Sequence, residues 1–172
     1  MAELNKQGVA ENTLLVFFSD NGGSPENGSN NGSFKAFKSW LYEGGLRESM
    51  LVHWPGTIKP GTTDIPVCAY DFYPAFLELA GAKIPANYRV DGVSIASLLL
   101  KGKAPKRDTF FWHYPSETGK WKEKMASAVR KGDFKYLESY QDGRQELHIH
   151  NLKTARPKKK TSPAGCRRKP PK

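Results

Sequence analysis

Two adjacent oxygen-bearing side chains, Asp20 and Asn21, follow an apolar run that is predicted to form a strand. A carboxylate and an amide oxygen at the carboxyl end of a strand lie where open α/β sheets bind ligands, and both are hard donors suited to Ca²⁺ or Mg²⁺. Gly22 and Gly23 follow directly, so the backbone is free to turn sharply and a ligand is free to come close. The same four residues are also typical of an ordinary turn at the end of a strand.

A lysine and a glycine-rich segment follow at a spacing suited to an anion site. Lys38 is able to supply a point charge to a tetrahedral anion, although a single lysine is also typical of a solvated surface. It precedes the segment Tyr42–Arg47. Glu43 and Arg47 are four residues apart and opposite in charge, so they predict a salt bridge that braces this loop rather than a chemical role.

The loop over residues 21–33 consists almost entirely of Gly, Asn, Ser, Pro and Glu, which predicts an exposed loop. Its segments Asn27-Gly28-Ser29 and Asn31-Gly32-Ser33 are formal N-glycosylation sequons. We interpret both as turn chemistry.

Apolar runs and helical spacing predict the elements that position these residues. Thr13–Phe18 is a continuous apolar run, which favours a strand buried on both faces in a parallel sheet covered by helices. A second buried strand is predicted at Met50–Trp54. Helical spacing follows over residues 67–80, and residues 93–100 are predicted to form another short helical or apolar segment.

The pattern changes near Thr109, where short strands with Asp-Gly-type connections begin. Such a pattern is typical of an antiparallel meander. The predicted strands are Thr109–Tyr114, Met125–Arg130, Phe134–Ser139 and Glu146–Asn151. The predicted organisation is part of an α/β domain over residues 1–103, a small antiparallel subdomain over residues 104–152, and a basic, disordered tail over residues 153–172.

The basic charge of the chain is concentrated in its tail. The chain has 172 residues and a formal net charge of +10, and residues 153–172 hold nine of its 27 Lys and Arg residues and no acid. The body is left with 18 basic against 17 acidic residues, which gives no electrostatic case for binding nucleic acid. The two cysteines, Cys68 and Cys166, indicate no disulfide framework. No apolar run approaches the roughly 18 residues of a membrane span.

Several segments together resemble the sulfatase family, which is part of the alkaline-phosphatase-like superfamily. The resemblance implies an α/β fold: the C-terminal part of a sulfatase domain, followed by a small antiparallel sheet. The segments occur in the family's order over residues 1–152, and their combination is far more specific than any one of them. They are Ser19–Gly23, Lys38–Arg47, His53–Gly56, Asp71–Gly81, Asp91–Ser94 and Arg130–Tyr136.

The resemblance implies roles for four residues. Asp20 and Asn21 would be two ligands of the active-site divalent cation, usually Ca²⁺, and Lys38 would contact the sulfate group. His113 would lie near the substrate pocket, with ordinary strand packing as the alternative. In sulfatases a hydrated formylglycine attacks sulfur, while the metal and cationic side chains stabilise the charge on the sulfate oxygens.

The nucleophile of the family is missing from this sequence. Formylglycine arises from the Cys or Ser of a Cys/Ser-x-Pro-x-Arg motif, and no proline here has Cys or Ser two positions earlier. The N-terminal metal carboxylates are missing as well, since the first aspartate is Asp20. We therefore expect the C-terminal portion of a sulfatase, which hydrolyses sulfate esters in the intact family but is inactive alone. The alternatives are a phosphoester or phosphonate hydrolase of the same superfamily, or a non-catalytic remnant.

The tail after Asn151 departs from the family pattern, because Lys/Arg/Pro-rich sequence replaces the usual acidic stretch. This favours sequence read out of frame, or a truncation product, from about Thr154; the alternative is a basic arm for nucleic acid or an anionic surface. The family suggests a periplasmic or extracellular location. Met1–Ala10 lacks the apolar centre of a secretory signal, so the location stays open.

Overall fold

The computed structural model describes residues 1–115, 125–150 and 157–159. Over this part, the chain divides into two compact units that alternate along the sequence. The first unit contains residues 1–20 and 48–107, and the second contains residues 21–47 and the described chain from Asp108 onwards. The loop at 21–47, which the sequence places in the first domain, therefore belongs to the second unit.

The elements are short and are numbered in chain order. The helices are α1 (Ala2–Lys6), α2 (Glu43–Leu46), α3 (Phe72–Leu79) and α4 (Ala96–Lys101). The strands are β1 (Leu15–Phe18), β2 (Met50–His53), β3 (Thr109–Tyr114), β4 (Ala126–Lys131), β5 (Phe134–Ser139), β6 (Gln145–His150) and β7 (Pro157–Lys159). None of the helices in the described residues is both long and apolar enough to cross a membrane.

In the first unit, β1 and β2 form an antiparallel pair with Val16 opposite Val52. The prediction of a strand buried on both faces in a parallel sheet is wrong here, because Phe17 is 73% exposed. Only one face of β1 is covered: Val16 packs against the core of this unit, and Phe18 stacks on Phe72 with ring centroids 5.2 Å apart. An apolar run cannot show how many layers cover a strand, since that depends on distant parts of the chain.

The core of the first unit lies between α3 and α4, where Phe72 and Ala75 pack against Ile95 and Leu98. The helix predicted over residues 67–80 is thus confirmed as the shorter α3, and the segment at 93–100, predicted as helical or apolar, contains most of α4. α3 ends just before Gly81, which has a φ of +70°, a left-handed conformation that favours glycine at a helix end.

A buried carboxylate joins three segments of this unit. Asp71 is fully buried, and it accepts hydrogen bonds from the backbone N–H of Cys68 at 2.7 Å and of Val93 at 3.0 Å. The guanidinium of Arg107 donates to both of its oxygens, with the Nη1 contact at 2.7 Å. The segments before α3, before α4 and before β3 are therefore held at one point.

The second unit is built on an antiparallel sheet with the order β3-β4-β5-β6-β7. The predicted strands at 109–114 and 134–139 are confirmed, and those in β4 and β6 differ by one residue. Of the segment 153–172, predicted to be disordered, only residues 157–159 are described, and their backbone forms β7. The rest of that segment lies outside the described residues.

The loop at 21–47 packs on one face of this sheet. Leu41 and Tyr42 form a buried cluster with Ala126 and Ala128 of β4 and Leu137 of β5. These sheet residues share a face because side chains alternate along each strand. The loop is thus fixed by the sheet, and it carries two of the predicted site residues, Asn21 and Lys38.

Candidate functional site

Glycine residues bring the turn after β1 against the start of α2. The N–H of Gly22 donates to the carbonyl oxygen of Gly45 at 3.1 Å. A Cβ on Gly22 would lie 1.8 Å from the carbonyl oxygen of Gly44, and a Cβ on Gly44 would lie 2.1 Å from that of Ala36. At Gly22 the absent side chain therefore makes room for backbone packing, rather than for the ligand that the sequence suggested.

Lys38 is held beside this turn through its backbone. Its N–H donates to the carbonyl oxygen of Gly23 at 3.1 Å, while its side chain is exposed. Ala36 and Ser39, on either side of it, have φ angles of 66° and 73°. Left-handed conformations are unfavourable for residues with a Cβ and persist only where surrounding contacts impose them. The lysine thus extends from a tightly held loop.

Asn31 supplies several of those contacts, and we did not predict this role from the sequence. Its Oδ1 accepts from the N–H of Gly23 at 2.9 Å, and its Nδ2 donates to the carbonyl oxygens of Gly23 at 3.3 Å and Ala36 at 3.1 Å. The only signal in the sequence was its place in an Asn-Gly pair within a turn-forming loop. That pattern does not reveal which backbone groups its amide reaches.

Of the two predicted cation ligands, Asp20 belongs to the first unit and Asn21 belongs to the second. Asp20 is exposed. The pKa of Glu48 is raised, first by the burial of Glu48 itself and then by the negative charge of Asp20. The two oxygens are chemically suited to a hard cation such as Ca²⁺, which takes about six to eight oxygen ligands. Within the described residues, no group of three His, Cys, Asp or Glu side chains is arranged to hold a metal. The metal role of Asp20 and Asn21 stays a prediction.

The carboxylate of Glu43 has charged partners that lie much further along the sequence than the predicted Arg47. The ammonium of Lys135 on β5 lies 3.0 Å from its carboxylate, and Arg130 on β4 lies 3.8 Å from it. Arg47 meets Glu43 through the backbone, donating its N–H to the Glu43 carbonyl oxygen at 2.8 Å. Burial lowers the pKa of Lys135 and outweighs the opposing effect of Glu43. Glu43 therefore braces the loop against the sheet, and its side-chain salt bridge with Arg47 stays a prediction.

A second carboxylate, Glu146 on β6, also ties the loop to the sheet. The hydroxyl of Tyr42 donates to it at 2.7 Å, and the ammonium of Lys35 donates at 3.3 Å. His148 Nε2 lies 2.9 Å from the same carboxylate. Burial lowers the pKa of His148 despite this neighbour. The side chains of Lys35 and Tyr42 thus reach the sheet, while Lys38 between them stays exposed.

His113 lies on β3, and its partners are Ser127 on the neighbouring β4 and Tyr140, which directly follows β5. Its Nδ1 is 3.0 Å from the Ser127 hydroxyl and 3.0 Å from the Tyr140 hydroxyl, and these two hydroxyls also contact each other. His113 and Tyr140 are exposed, and Ser127 is half-buried. These contacts satisfy the strand-packing alternative for His113, and its place near a substrate pocket stays a prediction.

Comparison with known proteins identifies the family. The family model described as N-sulphoglucosamine sulphohydrolase, C-terminal, matches residues 32–160. The chain belongs to the sulfatase family. Arylsulfatase A of Homo sapiens is 38% identical over 142 residues, which are 78% of this chain and 26% of that protein.

Solved structures confirm the alkaline-phosphatase-like sulfatase fold. The crystal structure of Ps i-CgsB has a TM-score of 0.74 and 35% identity, covering 85% of this chain and 32% of that one. Phosphonate monoester hydrolase SpPMH from Silicibacter pomeroyi has a TM-score of 0.64 and 25% identity, covering 87% of this chain and 31% of that one. The sulfatase chain thus spans about a quarter to a third of these proteins.

Proposed function

We propose that this chain contributes one anion contact and two cation ligands to a sulfatase active site. Lys38 is the sulfate contact, and Asp20 and Asn21 are the cation ligands. The observation that supports this best is the hydrogen bond from the Lys38 N–H to the Gly23 carbonyl oxygen at 3.1 Å. It holds the lysine beside the turn that begins at Asn21.

The chemistry of each group suits its role. The Lys38 ammonium has three donors and a compact charge, so it is able to bind sulfate oxygens and stabilise the charge that they gain during hydrolysis. The Asp20 carboxylate and the Asn21 amide oxygen would hold the cation. When bound, a divalent cation acts on the same sulfate oxygens as a Lewis acid. Because two ligands are few for Ca²⁺, we expect this chain alone to bind calcium weakly.

The proposed substrate class is a sulfate ester on an aryl or carbohydrate group. Arylsulfatase A is among the relatives, and a further crystal structure shows Ps i-CgsB with k-i-k-neocarrahexaose. Since no Cys/Ser-x-Pro-x-Arg motif occurs in the 172 residues, we propose that the chain does not hydrolyse sulfate esters by itself. Turnover of an aryl sulfate by the purified chain, above that of Lys38→Ala, would contradict this.

The likeness to a phosphonate monoester hydrolase supports a second candidate, a phosphonate or phosphoester hydrolase of the same superfamily. Lys38 would serve it equally well, because a lysine binds tetrahedral anions as a point charge. The two candidates differ in the preferred anion.

A binding experiment tests the anion site. The ¹⁵N-labelled chain is titrated with inorganic sulfate, and in parallel with methylphosphonate, while amide shifts are followed by NMR. We expect sulfate to shift the amides of Asn21, Gly23 and Lys38, with a weak affinity that Lys38→Ala reduces several-fold. Calcium should shift the amides of Asp20 and Asn21.

The matched control is Lys59→Ala, since Lys59 is also exposed but lies in the first unit. It should leave sulfate binding unchanged. Equal losses in Lys38→Ala and Lys59→Ala would show non-specific attraction and would overturn the proposed site. Tighter binding of methylphosphonate than of sulfate would favour the second candidate.

A further inference from the structure

The side-chain amide of Asn31 connects two segments that carry proposed site residues. On one side it binds Gly23, both accepting from its N–H and donating to its carbonyl oxygen. On the other side it donates to the carbonyl oxygen of Ala36, two residues before Lys38. The Gly23 carbonyl also accepts from the Lys38 N–H. The Asn31 amide group thus bonds both to the turn that follows Asn21 and to the segment just before Lys38.

These bonds also explain how an unfavourable backbone is maintained. Ala36 has a φ of 66°, which costs free energy for any residue with a Cβ, so the loop would relax if it were not held. The donor from Asn31 reaches the carbonyl of this same residue at 3.1 Å. Asn31 is partly buried, where a lost hydrogen bond is costly to replace.

We propose that Asn31 is a positioning residue, which fixes Lys38 relative to the Asn21-Gly22-Gly23 turn and thereby sets the distance between the anion contact and the cation ligand. This proposal rests on the proposed function of Lys38 and Asn21. It also assigns the Asn31-Gly32-Ser33 segment a structural role, since a glycan on Nδ2 would replace one of the two hydrogens that donate to the Gly23 and Ala36 carbonyls. Asn31 is expected to remain unglycosylated in the folded chain.

Two substitutions of Asn31 test its acceptor hydrogen bond and its donor hydrogen bonds separately. Asn31→Asp keeps an oxygen for the Gly23 N–H but places a carboxylate against two carbonyl oxygens, whereas Asn31→Ala removes every bond. The control is Asn30→Asp, because Asn30 accepts from the Gly32 N–H at 2.7 Å through Oδ1, and an aspartate retains that acceptor. Amide hydrogen exchange and inorganic sulfate binding are measured on the ¹⁵N-labelled full chain.

In Asn31→Asp we expect the Lys38 amide to exchange about tenfold faster, while the Gly23 amide stays protected. In Asn31→Ala both amides should exchange faster. Sulfate affinity should fall several-fold in both variants, whereas Asn30→Asp should match the wild type. Exchange of the amides that pair β4 with β5 should be unchanged in every variant. If Asn31 only stabilised the unit as a whole, these amides would also exchange faster.

Unchanged Lys38 exchange in Asn31→Asp would overturn the proposal, and so would an equal acceleration across β4 and β5. If the wild-type chain shows no sulfate shift at Lys38, the proposed function fails and the role of Asn31 in anion binding fails with it. The exchange data then still decide whether Asn31 holds the loop. The two failures are therefore distinguishable.

Discussion

Each of the two compact units buries one acidic side chain that joins distant segments, but the partners of these acids differ. In the first unit, Asp71 is held by the guanidinium of Arg107 and by two backbone N–H groups. In the second unit, Glu43 is held by the ammonium of Lys135 at 3.0 Å, with Arg130 further away at 3.8 Å. The first arrangement is bidentate, and the second depends mainly on the single ammonium of Lys135.

The difference affects how each unit responds to pH. Burial alone would lower the pKa of Arg107, but the hydrogen bonds and charge of Asp71 outweigh it and raise that pKa. A guanidinium stays charged at every ordinary pH. Lys135 has the opposite balance, because burial prevails and lowers its pKa. The second unit, which carries Lys38, is therefore the one whose buried ion pair responds to alkaline pH.

The largest expected effect comes from breaking the bidentate pair. Asp71→Asn should lower the free energy of unfolding by about 3–5 kcal/mol, because it removes the buried negative charge that pairs with the guanidinium of Arg107. Chemical denaturation measures the loss. The exposed Asp91→Asn is the control and should change stability by less than about 0.5 kcal/mol. A loss at Asp71 no larger than that of the control would remove the basis of the comparison.

A smaller loss is expected in the second unit. Lys135→Met should lower the free energy of unfolding by about 1–3 kcal/mol, since Glu43 loses the ammonium at 3.0 Å but keeps Arg130 at 3.8 Å. The same denaturation experiment applies, read from the fluorescence of a tryptophan in this unit, such as Trp112. A cost above that of Asp71→Asn would show that the ammonium pair, not the guanidinium pair, is the stronger link.

The titration of Lys135 should appear as a slope of stability with pH. Its pKa in the folded chain lies below the ordinary 10.5, so between the two values the unfolded chain binds more protons. Stability of the wild type, measured relative to Lys135→Met, should therefore rise with pH across that window. The Asp71–Arg107 pair should add no slope there. A relative stability that falls with pH would reverse the assigned direction.

The smallest effect on stability is expected at Lys38. Its side chain is exposed and its only described hydrogen bond is made by the backbone, so Lys38→Ala should change the free energy of unfolding by less than about 0.5 kcal/mol. Sulfate binding should nevertheless fall several-fold. A large loss of stability would show that Lys38, like Lys135, serves the fold.

The sequence predicted local features well and long-range contacts poorly. The strands at 109–114 and 134–139 were predicted to the residue, because alternation and turn residues are encoded in neighbouring positions. The spacing pairs Glu43 with Arg47 four residues away, whereas Lys135, whose ammonium donates to Glu43 at 3.0 Å, is 92 positions distant. No local pattern marks such a pair. The covering of β1 was predicted wrongly for the same reason.

By itself, the sequence determined the sulfatase family, the antiparallel strands after Thr109, and the identity of Asp20, Asn21 and Lys38 as candidate site residues. The family follows from the resemblance of several segments that occur in order over residues 1–152, and the strands and candidate residues follow from residue types at short spacing. Only the tertiary structure decided that Phe17 is exposed and that Asn31 joins Gly23 to Ala36. Such features depend on which backbone groups and layers meet in space, and hydrogen-bond geometry, unlike periodicity, cannot be read from neighbours along the chain.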